Sequence, residues 1–377
     1  MKKFLCTLLS ALILILSLSF NVSAEFEVDG EIKSAILIEP STGTVLYEKN
    51  ADERLSPASV TKIMTALLVM EAIDGGRLKL DDMITVSANA SAMGGSQIFL
   101  EIGEQISAKE LLKGMMVASG NDAAVAFAEA LGGTEESFVD MMNERASELG
   151  LENTHFLNCH GLDEDGHYTS ARDIAKMSAE LLKHKDILQF TSIWTDSIRD
   201  GKTSLANTNK LVRFYDGCDG LKTGSTSIAK CCISATAKKN DMRLIAVVMA
   251  APTTDMRFAA VRQMFDYGFA LKETANIEKG ELGEISVAGG VKSKVKIKTE
   301  GASMLVDKGV GAKIVYETSI EDDIAAPIAE NQIVGKIKAT LDGTELFSCD
   351  VVAAEEVKRV SFFDIVKGIL LAVTKRI

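Results

Sequence analysis

The chain has 377 residues, 47% of them hydrophobic and 25% charged, with 29 Gly, 4 Pro and 6 Cys. That length suits two domains with at least one full core, and the apolar content excludes a disordered chain. Six Cys in such a length exclude a disulfide-scaffold miniprotein, and a formal net charge of −12 argues against wholesale nucleic-acid binding.

The charge is uneven. Residues 357–377 set five basic residues against Asp364, which gives +4; removing that tail and the two lysines of residues 1–24 from the −12 total leaves −18 on residues 25–356. An acidic body with a basic tail implies two different environments.

At the N-terminus, Lys2-Lys3 precede an uncharged apolar run from Phe4 to Phe20, and Val22-Ser23-Ala24 follow. A charged start, an apolar stretch near the short limit for a membrane span and small residues at its end predict a signal peptide cleaved after Ala24. The mature protein is therefore expected outside the cytoplasm. Cleavage removes Cys6 and leaves Cys159, Cys218, Cys231, Cys232 and Cys349. An odd set with an adjacent pair is badly placed for internal bridging, and no disulfide is assigned.

Next along the chain, Ala35-Ile36-Leu37-Ile38 and Val45-Leu46-Tyr47 read as strands joined by a turn at Ser41-Thr42-Gly43. Ser56-Pro57 predicts a helix start, Ser as cap and Pro at the first helical position. Ile63, Leu67, Met70 and Ile73 continue it at helical spacing up to Gly75-Gly76. Helices are predicted over 109–117, 121–131 and 258–271, and a buried strand over 243–250.

From about Asn276 to Glu356 the pattern changes to short alternating runs such as Lys294-Val295-Lys296-Ile297-Lys298, and Asp342-Gly343 closes Ile337–Leu341 as a hairpin turn. A small antiparallel β domain is expected there. In the last segment, Phe362, Phe363, Ile365, Val366, Ile369, Leu370 and Val373 fall on one half of a helical wheel and Asp364, Lys367 and Lys375 on the other, with Leu371 as the exception. Such a helix is expected to lie in a membrane interface, its basic residues near anionic headgroups.

Three short patterns carry chemistry. Ser59-Val60-Thr61-Lys62 sits at the predicted helix start, so the i, i+3 spacing puts a hydroxyl and an amine on one face. A serine is a poor nucleophile until a base takes its proton, and a lysine with a depressed pKa can do so. Ser227-Ile228-Ala229-Lys230 and Ser293-Lys294-Val295-Lys296 share the spacing, but neither opens a helix with an apolar stripe. Ser119-Gly120-Asn121 lies between two predicted helices, where it can serve as a cap or project into a cleft. Lys222-Thr223-Gly224 offers charge, a hydroxyl and close backbone approach for a carboxylate, or is simply an exposed turn.

In that order, sixty and then 103 residues apart, the three patterns form the set of penicillin-interacting serine enzymes. The sequence resembles the low-molecular-mass penicillin-binding proteins, the serine-type D-alanyl-D-alanine carboxypeptidases. Leu55–Thr65, Ala118–Ala124, Asn158–Asp163 and Asp219–Gly224 carry the resemblance, and it covers nearly the whole mature chain. It implies an α+β architecture: a DD-peptidase/β-lactamase-like domain, an antiparallel sheet flanked by helices, over 25–275. A small all-β domain over 276–356 and an amphipathic membrane-anchoring helix over 357–377 follow.

The resemblance also implies roles. Ser59 attacks the carbonyl between two D-alanines with Lys62 as base, Ser119 relays a proton, and Asn121 holds Lys62 and the substrate amide. Lys222 keeps the site positive; Thr223, Gly224, Ser225, Thr226 and Arg243 bind the substrate end, with the Ser59 and Ser225 N–H groups as oxyanion donors. Ser225 departs from the bulkier residue common in the family, and the vicinal Cys231-Cys232 is unusual. The expected partners are peptidoglycan stem peptides, β-lactams as inhibitors and the membrane surface, at the outer face of the cytoplasmic membrane; no metal or organic cofactor is implied.

His155, Cys159, His160 and His167 match no standard zinc spacing. Trp194 reads as packing and Glu135-Glu136 as a solvated helix start. A serine β-lactamase of class A would add a Glu-x-x-Leu-Asn run between Asn121 and Lys222, which is missing. A non-catalytic β-lactam or cell-wall receptor is the other alternative.

Overall fold

The structure is a computed structural model that describes residues 26–366 apart from 29 and 322. The expected leader over 1–24 and the end of the expected tail helix lie outside the described residues.

A five-stranded antiparallel sheet organises the larger part of the chain. Its strands are β1 (Ser34–Glu39), β2 (Thr44–Lys49), β3 (Cys218–Thr226), β4 (Lys230–Lys239) and β5 (Met242–Ala251). They lie in the order β2-β1-β5-β4-β3, so the first hairpin closes against the last strand of the domain. Central β1 and β5 read as nearly continuous apolar runs because helices cover both faces. Alternate residues go to opposite sides: Ile36, Ile245 and Val247 face the helical region, whereas Leu37, Leu244 and Ala246 face the helix α6 (Thr254–Leu271).

The helical region is an insertion between β2 and β3. It contains α1 (Lys62–Asp74), α2 (Ala108–Val117), α3 (Asn121–Gly132), α4 (Glu135–Glu148) and α5 (Ala171–Leu181), with small hairpins pairing Met83–Thr85 to Gln105–Ser107 and Thr195–Ile198 to Thr203–Ala206. These hairpins were not predicted. Ten of the thirteen residues of α1 are buried, Lys62 among them, so α1 is a core helix rather than the one-sided helix that a single apolar stripe implies. Gly75 ends it, as its sequence predicts. The site lies where the N-terminus of α1 meets β3 and the start of α3.

The remaining strands form a second body with its own core, built on Val295, Ile297, Val334, Ile337 and Val351. Its first strand already begins at Lys272, directly after α6. Its main sheet is five-stranded and antiparallel, with Ile333–Leu341 and Thr344–Ala353 joined at Asp342-Gly343. Both turn residues have positive φ, +49° and +80°, which fits a tight hairpin turn of the primed type. Beyond it, residues 362–366 are helical, and Ser361 and Asp364 cap each other reciprocally across the first turn. Among the described residues no helix is long and apolar enough to cross a membrane.

Candidate active site

Ser59 is half-buried in a single 3-10 turn, Ala58–Thr61, that leads into α1. Ser56 does not cap this turn as expected; its hydroxyl donates to Asp163 Oδ1 at 2.9 Å, 107 residues away. Ala58 and Ser119 have φ of +48° and +66°, the left-handed region that L residues rarely adopt. Such strain is held by surrounding contacts and concentrates at functional sites.

Lys62 is fully buried, and its Nζ lies 3.0 Å from Ser59 Oγ, 2.6 Å from Asn121 Oδ1 and 2.7 Å from the His160 carbonyl. Asn121 Nδ2 donates to the Gly94 carbonyl at 2.7 Å, which turns Oδ1 toward the lysine. Burial pushes the Lys62 pKa down to about 7. A neutral amine has two N–H donors and one lone pair. With the donors on Asn121 and His160, the lone pair faces the Ser59 hydroxyl.

Ser119, at the turn between α2 and α3, accepts from Lys222 Nζ at 2.9 Å, and Lys222 also donates to the Thr223 carbonyl at 2.8 Å. Lys222 is buried in the centre of β3. Burial first, then the charges of Lys62 and Arg257, hold its pKa well below the ordinary lysine value. The three sequence patterns thus converge on one cluster.

Gly224 is required by close approach: a Cβ there would stand 2.8 Å from both the Pro57 carbonyl and the Ser59 nitrogen. The backbone of β3 therefore presses directly on the nucleophile turn. Thr223 donates to the Thr208 hydroxyl at 2.7 Å, and Ser225 is exposed at the mouth. The hydrogen of Thr226, expected to bind substrate, is committed to Asp163 Oδ1 at 2.8 Å, while its oxygen accepts from Ala229 N–H.

Arg243 is the clear correction. It makes a two-pronged ion pair with Asp219 at 2.8 and 2.7 Å and donates to Thr236. It pairs with Lys238 on β4, whereas Thr223 pairs with Ile233 on the same strand. Five residues of strand separate the two, about 16 Å at ~3.3 Å per residue. The arginine behind the site is Arg257, in the first turn of α6. It is buried and donates to the carbonyls of Gly224 and Cys232 at 3.0 and 3.1 Å, and its Nε has no partner among the described residues. Nothing in its local sequence marks it.

The loop over 158–164 forms the remaining wall. Gly161, at φ +88°, touches the nucleophile turn so closely that a Cβ would fall 1.9 Å from the Ala58 carbonyl. His160 and His167 are buried and held neutral, their pKa values lowered to about 3 and about 4 by burial. His167 braces the turn, its Nε2 lying 2.9 Å from Thr61 Oγ1. Glu135 is not merely solvated, because it accepts from the Cys159 N–H at 3.3 Å and lies 3.4 Å from His160. Trp194 meets Phe214 edge-on at 5.8 Å. Cys231 and Cys232 point to opposite faces of β4, one toward α6 and one toward the helical region, and all five described cysteines are free thiols.

Comparison with known proteins identifies the family. The family profile described as D-alanyl-D-alanine carboxypeptidase matches residues 20–253, and that of the penicillin-binding protein 5 C-terminal domain matches residues 272–359. The D-alanyl-D-alanine carboxypeptidase DacF of Bacillus subtilis is 46% identical over 382 residues, covering 97% of each chain. The crystal structure of penicillin binding protein 5 from Haemophilus influenzae superposes with a TM-score of 0.69 at 32% identity, over 89% of this chain and 100% of that one. Penicillin-binding protein D2 from Listeria monocytogenes, in its ampicillin-bound form, gives 0.58 at 32% identity over 63% of this chain and 97% of that one.

Proposed function

The chain belongs to the D-alanyl-D-alanine carboxypeptidase family of serine peptidases, and from that premise we propose how its own residues divide the reaction. The substrate is a peptidoglycan stem peptide ending in D-Ala-D-Ala. Ser59 Oγ attacks the carbonyl between the two D-alanines as its proton passes to neutral Lys62. The N–H groups of Ser59 and Ser225 receive the oxyanion, and preorganised donors of this kind are worth several kcal/mol (~3–4) in comparable enzymes. The proton then reaches the departing D-alanine nitrogen through Ser119, the C–N bond breaks, and an ester to Ser59 remains. Water, deprotonated by Lys62, hydrolyses that ester and restores Ser59. Penicillins enter the same path and stop at the ester.

Lys222, Thr223 and Ser225 receive the terminal carboxylate, with the buried charge of Arg257 behind the strand. The hydroxyl rotor of Thr223 can swing from Thr208 to an arriving anion. Thr226 and Arg243, engaged by Asp163 and Asp219, are left out of that contact.

One observation carries the reading: a single buried amine touches Ser59, Asn121 and the His160 carbonyl at once. Mass spectrometry after penicillin exposure is expected to place the adduct on Ser59. Ser59→Ala is expected to abolish both that adduct and D-alanine release. Labelling that persists in this variant overturns the assignment.

We propose the same for the surroundings of the reaction. The mature protein acts outside the cytoplasm, peripheral to the outer face of the membrane, with the basic C-terminal segment as its contact. The exposure of Phe362, Phe363 and Ile365 supports this.

A further inference from the structure

Asp163 has no place in the reaction above, yet one of its oxygens joins three segments of the site. Oδ1 accepts from Ser56 at 2.9 Å and from Thr226 at 2.8 Å. Ser56 lies three residues before Ser59, and Thr226 directly follows Ser225. These are the two segments whose N–H groups form the oxyanion hole in the proposed reaction, and they already touch at Gly224 and Ser59. We propose that Asp163 is a positioning residue, a carboxylate staple that fixes the spacing and orientation of the two oxyanion donors.

The chemistry suits a carboxylate. An ionised carboxylate is acceptor-only, so a single oxygen takes two hydroxyl donors without competing for acceptors, and hydrogen bonds to a charged acceptor are stronger than neutral ones. The loop behind it is braced by its own hydrogen bonds. Asn158 Oδ1 accepts from Gly161 N–H at 2.7 Å, and Asn158 Nδ2 donates to the Leu162 carbonyl at 3.1 Å. His160 Nδ1 accepts from Leu162 N–H at 3.2 Å, while the His160 carbonyl receives Lys62. One loop therefore holds the base at one end and the oxyanion donors at the other.

The inference rests on the acyl-enzyme reading, and the test separates the two. The penicilloyl-enzyme ester carbonyl is followed by infrared difference spectroscopy, because oxyanion-hole hydrogen bonds lower its stretching frequency. In Asp163→Ala the band is expected to move to higher wavenumber. Peptide turnover is expected to fall in kcat about tenfold or more, less than the roughly 100-fold or greater loss on removing an oxyanion donor outright, with KM changed less than about threefold. Asp163→Asn, whose amide oxygen still accepts both hydroxyls, is expected to recover most of both signals. A folded Asp163→Ala enzyme with the wild-type band and kcat overturns the proposal. Should that variant fail to fold, Ser56→Ala and Thr226→Val decide it: each is expected to shift the band upward, and a wild-type band in both overturns the staple. Absence of a penicilloyl ester in the wild-type chain would instead reject the acyl-enzyme reading itself.

Discussion

Asn121 Oδ1 stands 2.6 Å from Lys62 Nζ, nearer than Ser59 Oγ at 3.0 Å. The amide, locked by its bond to Gly94, takes one amine hydrogen and so leaves the lone pair for the serine. Because burial brings the Lys62 pKa to about 7, the base is competent only above that value. Below it the ammonium has no lone pair. We expect kcat/KM for D-alanine release, and the rate of penicillin acylation, to rise tenfold per pH unit up to about 7 and level above it. Asn121→Asp puts a negative charge beside Lys62 and favours its protonated form. The midpoint is expected to move up by at least about one unit, with the pH 7 rate down by roughly fivefold or more. An unmoved midpoint contradicts Lys62 as the base.

Lys222, Lys62 and Arg257 place three basic groups in one buried region, and each has its pKa pushed down by burial. A carboxylate arriving at Lys222 reverses part of that by favouring the charged amine. Binding of a D-Ala-D-Ala peptide to Ser59→Ala at neutral pH is therefore expected to take up a fraction of a proton. Calorimetry in buffers of different ionisation enthalpy measures this directly. The uptake is expected to shrink when Lys222→Gln is added; release of protons in the Ser59→Ala variant contradicts the electrostatic picture.

Arg243, about 16 Å of strand away from Thr223, forms a partly exposed pair with Asp219. Arg243→Ala is expected to leave kcat and KM within about twofold and to cost about 1 kcal/mol of stability, as a well-formed but solvent-screened pair does. Urea unfolding and steady-state kinetics on one preparation check both. A tenfold rise in KM restores Arg243 to the substrate site.

The contrast between Arg243 and Arg257 shows where the sequence is legible. Ser59 and Lys62 are recognisable because one helical turn sets their relation, and Lys222-Thr223-Gly224 because three adjacent residues hold the needed chemistry. The strands β1 and β5 and the Asp342-Gly343 turn follow from local pattern in the same way. Arg257 reaches Gly224 only because α6 folds back against β5 and β4, and Asp163 finds Ser56 and Thr226 across 107 and 63 residues. Neither relation has a local period or spacing. Ser56 illustrates the cost of local reasoning: it has the right type and place for a helix cap, but a carboxylate from a distant loop claims its hydroxyl instead.

Phe362 and Phe363 are 75% and 81% exposed, beside Ile365 and at the start of the segment that carries +4. Two phenyl rings held in water have a strong incentive to leave it, each worth about 1.5–3 kcal/mol when fully buried. Anionic headgroups add attraction for the basic residues of the same segment, and salt weakens that part alone. The mature chain is therefore expected to sediment with anionic vesicles and less with neutral ones, and added salt should reduce the difference. Phe362→Ser with Phe363→Ser is expected to weaken vesicle binding by roughly 100-fold or more, following from the lost apolar burial. Turnover of a soluble peptide should stay unchanged, since neither residue belongs to the proposed site. Equal sedimentation of the double variant and the wild type would remove these rings from the membrane contact.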